Sequence, residues 1–447
     1  IFFAGNTISP IMILTILSAI ICAISGYTYL HSRMQLDMYH SLPVKRGTIY
    51  AAKYIAGIAY YLIPLVLHIG ACLLIGIIQN ASSTHALMNA IGYICILLLI
   101  YLTVYSTCIL AVMLTGNIII TILISAILLT YSLLLEILRN ALYQNFYYAN
   151  IMGYNPEFAA FSPMHMVIRL LEHSMSAGQN EPYYYSAFVP YVFVILTAVL
   201  LITVAGYVLY RSTEAAGRAI AFRRTEPVIK AMIVIPLSLY SGLFFENLSP
   251  SGISFGWYLF GAVFGFLISA FFVEIIFRFD IRCAFHHCSQ LLFNGACIAL
   301  IIAVFKTDAL GYNTYIPSDS EISDCSVSIS GLMNASTQTA QGYTNAEEYR
   351  MEHMHISDNS AVMQLARKAA SQGLHFTTID YYDGIEQTPE YQAIIEKESS
   401  YRRIAFGYHL QNGKNVYRQY YIDIKDQDSL NLLSSIYDDI DYKANSM

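Results

Sequence analysis

Two short strings bring together residue types that bind metals. Cys283-Ala-Phe-His-His-Cys288 offers thiols and imidazoles, with Cys283 and His287 one helical turn apart. A structural zinc site draws four ligands at recognised spacings. This string matches none of them and reads better as an interfacial loop. Glu352, His353 and His355 form the second group. They directly precede an expected helix cap at Ser357-Asp358 and read as the entry turn to that helix. No metal site is therefore assigned. Hydrolytic signatures are missing too: there is no G-x-S-x-G, no H-E-x-x-H and no carboxylate pair within an apolar run. The phosphate-cradling G-x-x-x-x-G-K-[ST] is also absent. Its nearest approach, Gly407 to Lys414 (GYHLQNGK), has the wrong spacing, is followed by Asn415 and falls where a hairpin is expected. The chain offers no catalytic residues and no cofactor site of its own. Transport or binding is expected rather than an enzyme.

The most patterned polar stretch is HSRMQLDMYHSLPVKRGTIYAAKY, His31–Tyr54. Pro43 disfavours helix at Leu42, which predicts a helix to about His40, a break at Ser41–Pro43, and a second helix beyond. A helix–break–helix of this kind can seat in a groove of a cytoplasmic partner through Asp37, Tyr39, His40, Leu42, Pro43, Lys45 and Arg46. The alternative is a basic hinge resting on lipid headgroups. Further on, Glu214 and Gly217 are spaced to share nearly one helix face. Either Glu214 pairs with a basic residue of the loop or of a partner while Gly217 permits close approach, or Glu214 merely offsets Arg211 or Arg218. Few ionisable residues interrupt the apolar runs. Glu274 and Arg278 form an i,i+4 pair, as do Glu136 and Arg139 at i,i+3, and His68 reads as a hydrogen-bonded residue between helices. This scarcity argues against an ion-coupled pump and suits a hydrophobic or amphipathic cargo.

The elements that must position these residues follow from hydropathy. Of 447 residues, 56% are hydrophobic and 12% charged, where soluble domains carry about 25% charged residues. The apolar character ends near Phe305, so 1–306 is expected to be a membrane domain and 307–447 a polar one. Eight stretches approach the roughly 20 apolar residues a span requires: about 10–30, 54–78, 87–114, 117–137, 188–210, 228–245, 254–277 and 291–305. The loops after the first, fifth and seventh hold the clustered Lys and Arg, whereas 79–86 and 246–253 hold none. Positive charge stays cytoplasmic. The basic loops are thus inside, and both the listed start and the C-terminal domain lie outside. A cytoplasmic start and one further helix are expected to precede Ile1. Net charge is -6 and no basic run points to nucleic acid.

DMYHSLPVKR, followed by an apolar helix, resembles the loop between the second and third helices of ABC-2-type transporter permeases. The match is to a firmicute family with D-x-Y-H-S-L-P-x-x-R. YRSTEAAGRAIAF (Tyr210–Phe222) is similar to that family's R-x-x-E-x-A-G segment. The resemblance implies an ABC-2 permease-like fold with an appended extracytoplasmic domain in the cell membrane. It also implies that Asp37 to Arg46 couple to a cytoplasmic ABC ATPase subunit, which binds the ATP. A second permease, identical or different, is implied as well, alongside membrane lipid. The missing first helix leaves the family's elbow helix unaccounted for.

Between 138 and 187 the connection is too long for a turn, and Met164–His173 predicts an interfacial or re-entrant outer helix. In the polar domain, Cys325, Val327 and Ile329 alternate with polar residues as a strand does. Ser357 or Asp358 caps a helix to about Ser371. Alternating runs on either side of Asn412-Gly413 predict a hairpin, and Leu430, Leu433, Tyr437 and Ile440 a closing helix. The fold class expected is a polytopic α-helical membrane protein plus a small extracytoplasmic α+β domain. The leading functional expectation is an exporter permease for a peptide, antibiotic or lipid-like cargo. The alternative is a membrane sensor detecting a peptide or envelope stress through its outer domain.

Overall fold

A computed structural model describes residues 8–79, 86–151, 216–217, 219–222, 225–249, 254–278, 288–330, 336–339, 342–356, 358–373 and 400–446. The expected fifth span at 188–210, the stretch Met164–His173, Glu214, Ser357 and Cys283–His287 lie outside the described residues. Among the described residues, seven helices are long and apolar enough to cross a membrane. They are α1 (Ile8–Tyr27), α3 (Arg46–Ile78), α4 (Ala86–Leu114), α5 (Ile118–Phe146), α6 (Glu226–Asn247), α7 (Phe255–Arg278) and α8 (Cys288–Lys306). A short α2 (Arg33–His40) lies between the first two.

Each of the seven answers to one expected span, but two run further. α3 begins at Arg46 rather than Tyr54, and α5 continues to Phe146 rather than Ile137. At 1.5 Å per residue α3 is about 50 Å long, against a hydrocarbon core of about 30 Å. Its basic first turns therefore reach beyond the apolar layer that the rest of the helix requires.

The chain forms two compact units, and the division falls inside α5, α6, α7 and α8. The first comprises Ile1–Ile137, Glu157–Leu237 and Phe266–Asn294. Its centre is α4, whose Tyr101, Val104, Tyr105, Cys108 and Val112 pack on Ala19, Ala23 and Tyr27 of α1. Ala19 and Ala23, one turn apart and fully buried, let α1 and α4 approach closely. A second cluster joins Met12 to Leu65, Ile69, Leu97 and Ile100. Ile120, Ile124, Ile220, Ile229, Val273 and Phe277 form a third.

The second unit comprises Leu138–Pro156, Ser238–Gly265 and Gly295–Met447. Its sheet has the order β1 (Ile322–Ile329), β4 (Tyr401–Leu410), β5 (Asn415–Asp423), antiparallel throughout. A separate hairpin pairs β2 (Ser336–Thr339) with β3 (Gly342–Asn345). Helices α9 (Ala346–His353), α10 (Ser360–Gln372), α11 (Gln427–Asp438) and α12 (Ile440–Ser446) complete it. The Asn412-Gly413 turn closes the β4–β5 hairpin as the sequence predicts, with Gly413 at φ +78°. Asp358 stands at the start of α10 and accepts from the Ser360 amide at 3.1 Å. α10 buries Val362, Met363, Leu365, Ala366 and Ala369 against the sheet and ends on left-handed Gly373. Ala149, just past α5, joins the same core, and its carbonyl accepts from the Gln419 amide at 3.0 Å.

Candidate functional site

The His31–Tyr54 stretch forms an elbow. α2 ends when Ser41 N–H donates to the Asp37 carbonyl at 3.0 Å. Residues 41–45 turn, and α3 starts at Arg46 with Lys45 in extended backbone before it. Pro43 contributes to the break, because its ring disfavours helical backbone at Leu42, the residue before it.

The elbow has two faces. Met34, Met38, Leu42 and Val44 are exposed, the first at 81%, and Asp37, Pro43, Lys45 and Arg46 are exposed beside them. Apolar side chains interleaved with charge of mainly one sign form a surface that water alone solvates poorly. The rear face is held. Leu36 is 3% exposed and packs with Tyr27 and Leu30. Tyr39 is half-buried, its ring 4.5 Å from that of Tyr29. Lys53 lies 4.8 Å from the centroid of each of these rings, one cation serving two π-faces. Tyr39 thus fastens the elbow rather than presenting itself outward. For His40 the structure describes the backbone at the end of α2.

From Tyr39 inward, ring contacts continue without a gap. Tyr29 meets Tyr27 at 6.5 Å, Tyr27 meets Tyr50 at 5.5 Å, and Tyr50 meets Tyr54 at 6.0 Å. Tyr54 meets Tyr105 at 5.3 Å, Tyr105 meets Tyr101 at 5.3 Å, and Tyr101 stacks on Tyr61 at 4.1 Å. The hydroxyls of Tyr27, Tyr54, Tyr61, Tyr101 and Tyr105 have partners inside the bundle, as low-dielectric surroundings demand, whereas that of Tyr50 is buried with no hydrogen-bond partner among the described residues. Tyr27 donates to the Tyr50 carbonyl at 3.0 Å and Tyr101 to the Gly57 carbonyl at 2.7 Å. Tyr54 shares a hydrogen bond with Ser106, and Tyr61 with Thr15, both at 2.8 Å. Gly57 makes room for this seam, since a Cβ there would stand 2.1 Å from the Tyr105 hydroxyl. The signal was available: Tyr50, Tyr54, Gly57 and Tyr61 fall at 4-3-4 spacing on one face of α3.

The elbow also meets the second motif. Arg33 Nε donates to the Ala216 carbonyl at 3.5 Å. Gly217, at φ +85°, donates its amide to the Gly116 carbonyl at 2.9 Å, and Thr115 bridges Ile220. Gly217 is thus used for a left-handed turn that a side chain would strain. His31 Nε2 lies 3.2 Å from Thr121 Oγ1, which in turn lies 2.5 Å from Thr115 Oγ1.

The Glu274–Arg278 pair is present at 3.2 Å, but it belongs to a larger group. Lys230 of α6, with a side chain only 4% exposed, bonds Glu274 at 2.5 Å and Glu226 at 2.8 Å. In the sequence Lys230 falls within the apolar span expected at 228–245. Its role as the buried centre of an ionic cluster depends on two helices far apart in sequence. His68 departs from expectation: it sits on the exposed side of α3, with Cys72 Sγ 3.9 Å away.

No protein-family model, curated protein or solved structure matches this chain.

Proposed function

We propose that the chain is the membrane-spanning permease subunit of an ABC-2-type exporter, powered by a separate cytoplasmic ATPase that docks on the elbow at Asp37–Arg46. One observation carries the reading. The D-x-Y-H-S-L-P-x-x-R resemblance falls on an elbow whose apolar and basic side chains face outward while its rear is fastened to the helices. A docking element needs both properties: a free surface for the partner, and a stiff connection that passes the partner's movement on. The tyrosine seam and the Arg33–Ala216 contact supply the connection. Seven long apolar helices and few buried charges among the described residues fit a hydrophobic or amphipathic cargo that crosses without ion coupling.

The test uses Leu42→Asp and the charge reversal Lys45→Glu with Arg46→Glu. All three positions are exposed, so the helices should fold as before. The expected result is loss of co-purification with an ABC ATPase encoded beside the chain, together with loss of ATP-dependent export. Intact co-purification and export would refute the docking assignment. A sensor reading is favoured by a different observation: residues just past α5 are built into the core of the outer sheet, a direct connection between that domain and an apolar helix.

A further inference from the structure

We propose that Asp324, His355 and His409 form a binding site for a zinc-class divalent ion on the outer domain. Their ligand atoms lie within 4.8 Å of one another. His355 Nδ1 lies 2.7 Å from Asp324 Oδ1, and His409 Nδ1 contacts the same oxygen. Two imidazole nitrogens and one carboxylate oxygen suit zinc, copper, nickel or iron, whereas magnesium and calcium take oxygen ligands.

Three features distinguish this trio from a chance meeting of polar side chains. First, each ligand comes from backbone that is already fixed. Asp324 and His409 are cross-strand partners on β1 and β4, beside an irregularity between Ile322 and Asp324. His355 precedes Ile356, which exchanges two backbone hydrogen bonds with Cys325 at 2.8 and 3.2 Å. Second, His409 carries the outer hydrogen bond typical of a ligating histidine. Its Nε2 faces the Met351 carbonyl at 3.3 Å, an acceptor only, so Nε2 holds a proton and donates. Nδ1 faces the Asp324 carboxylate, and an ion bound there would take the place of the proton that Nδ1 shares with that oxygen while the Nε2 hydrogen bond stays. Third, the site is graded in exposure. His409 is 10% exposed and Asp324 22%, while His355 is 60% exposed, so one side stays open to solvent. Three protein ligands with an open position are what an exchangeable zinc-class site presents. Bound there, the ion would pin the α9–α10 connector to the sheet.

The test is zinc binding by the full chain, purified in detergent and stripped with EDTA, compared with His355→Ala and Asp324→Asn. His355 is exposed enough that its removal should leave the fold intact, which is checked by thermal unfolding in EDTA. Wild type is expected to bind one zinc ion more than either variant, or to bind it at least tenfold more tightly. Zinc should raise the unfolding midpoint of the wild type alone. Cobalt in place of zinc should give visible absorption bands that His355→Ala loses. Reading the difference between proteins removes any contribution from Cys283–Cys288. Equal binding and equal zinc-induced stabilisation in wild type and His355→Ala would overturn the proposal and leave a hydrogen-bonded trio only.

Discussion

Single residues set the closest tolerances in the elbow. Gly57 exists so that Tyr105 and Tyr101 can lie against the α3 backbone: a Cβ would stand 2.1 Å from the Tyr105 hydroxyl and 2.6 Å from its ring carbon. Gly57→Ala must displace Tyr105 and with it the contacts to Tyr54 and Tyr101. Overpacking of this kind costs about 1–3 kcal/mol. The unfolding midpoint of the purified chain should fall, and Tyr105→Leu in the same chain should recover part of the loss by clearing the space. An unchanged midpoint in Gly57→Ala would mean that the seam is loose. Residue scale also shows the limits of reading a site from spacing. Of the Glu352, His353 and His355 group, only His355 enters the metal-like trio. His353 instead stacks on Tyr349 at 4.3 Å, and Glu352 is exposed. The real partners, Asp324 and His409, sit 31 and 54 positions away from it in sequence. Strand register, not local spacing, brings them together.

At the scale of elements, α10 and α11 are joined through Asp426. It caps α11 by accepting from the Ser429 amide at 3.2 Å and the hydroxyl at 2.6 Å, and it also pairs with Lys368 of α10. The Lys368 ammonium and then the Ser429 hydrogen bond hold its carboxyl down at about 2, against about 3.9 for an ordinary aspartate. A carboxyl whose folded value is depressed stabilises the fold above the unfolded value and loses that effect as pH falls through the folded one. The stability difference between wild type and Asp426→Asn should therefore be full at pH 6 and shrink from about pH 4 downward. Thermal unfolding at pH 6 and pH 3 checks this, and a difference independent of pH would refute it.

The elements themselves were largely legible in the sequence. Strand alternation at Cys325–Ile329, the Asn412-Gly413 turn and the apolar runs each depend on local pattern, and local pattern is what sequence displays. The early start of α3 was not, because hydropathy marks where a helix becomes apolar and not where its hydrogen bonds begin. Arg46 to Lys53 are helical, yet Arg46, Thr48 and Lys53 interrupt the apolar pattern there. Likewise Asn140 to Gln144 extend α5 past the apolar stretch. Lys230 was missed for the converse reason: one cation in an apolar run looks tolerable until its partners on α7 are known.

For the whole molecule, attachment of the C-terminal domain is the feature with most consequence. Among the described residues, two chain segments enter it. One follows α8 through Tyr312 and Asn313, and the other follows α5 through Tyr147 to Ile151. Arg418 of β5 lies 3.9 Å from the Tyr312 ring, which stacks on Tyr147 at 4.7 Å, which stacks on Phe305 of α8 at 5.3 Å. Asn313 accepts twice, its side chain from the Ala149 amide at 3.2 Å and its carbonyl from the Tyr420 hydroxyl at 3.1 Å, while its own amide donates to the Asp308 carboxylate at 2.9 Å. A protease site inserted at the exposed Ser318–Ser320 turn should therefore cut the chain without releasing the domain. The two fragments should elute together in detergent, and separation would show that the connection is only covalent.

A body fixed at one point can turn about any axis, but a body fixed at two keeps a single axis, the line through both. Entry of the Ala149 segment into the sheet core gives the C-terminal domain a second point of attachment, beside the covalent one that follows α8.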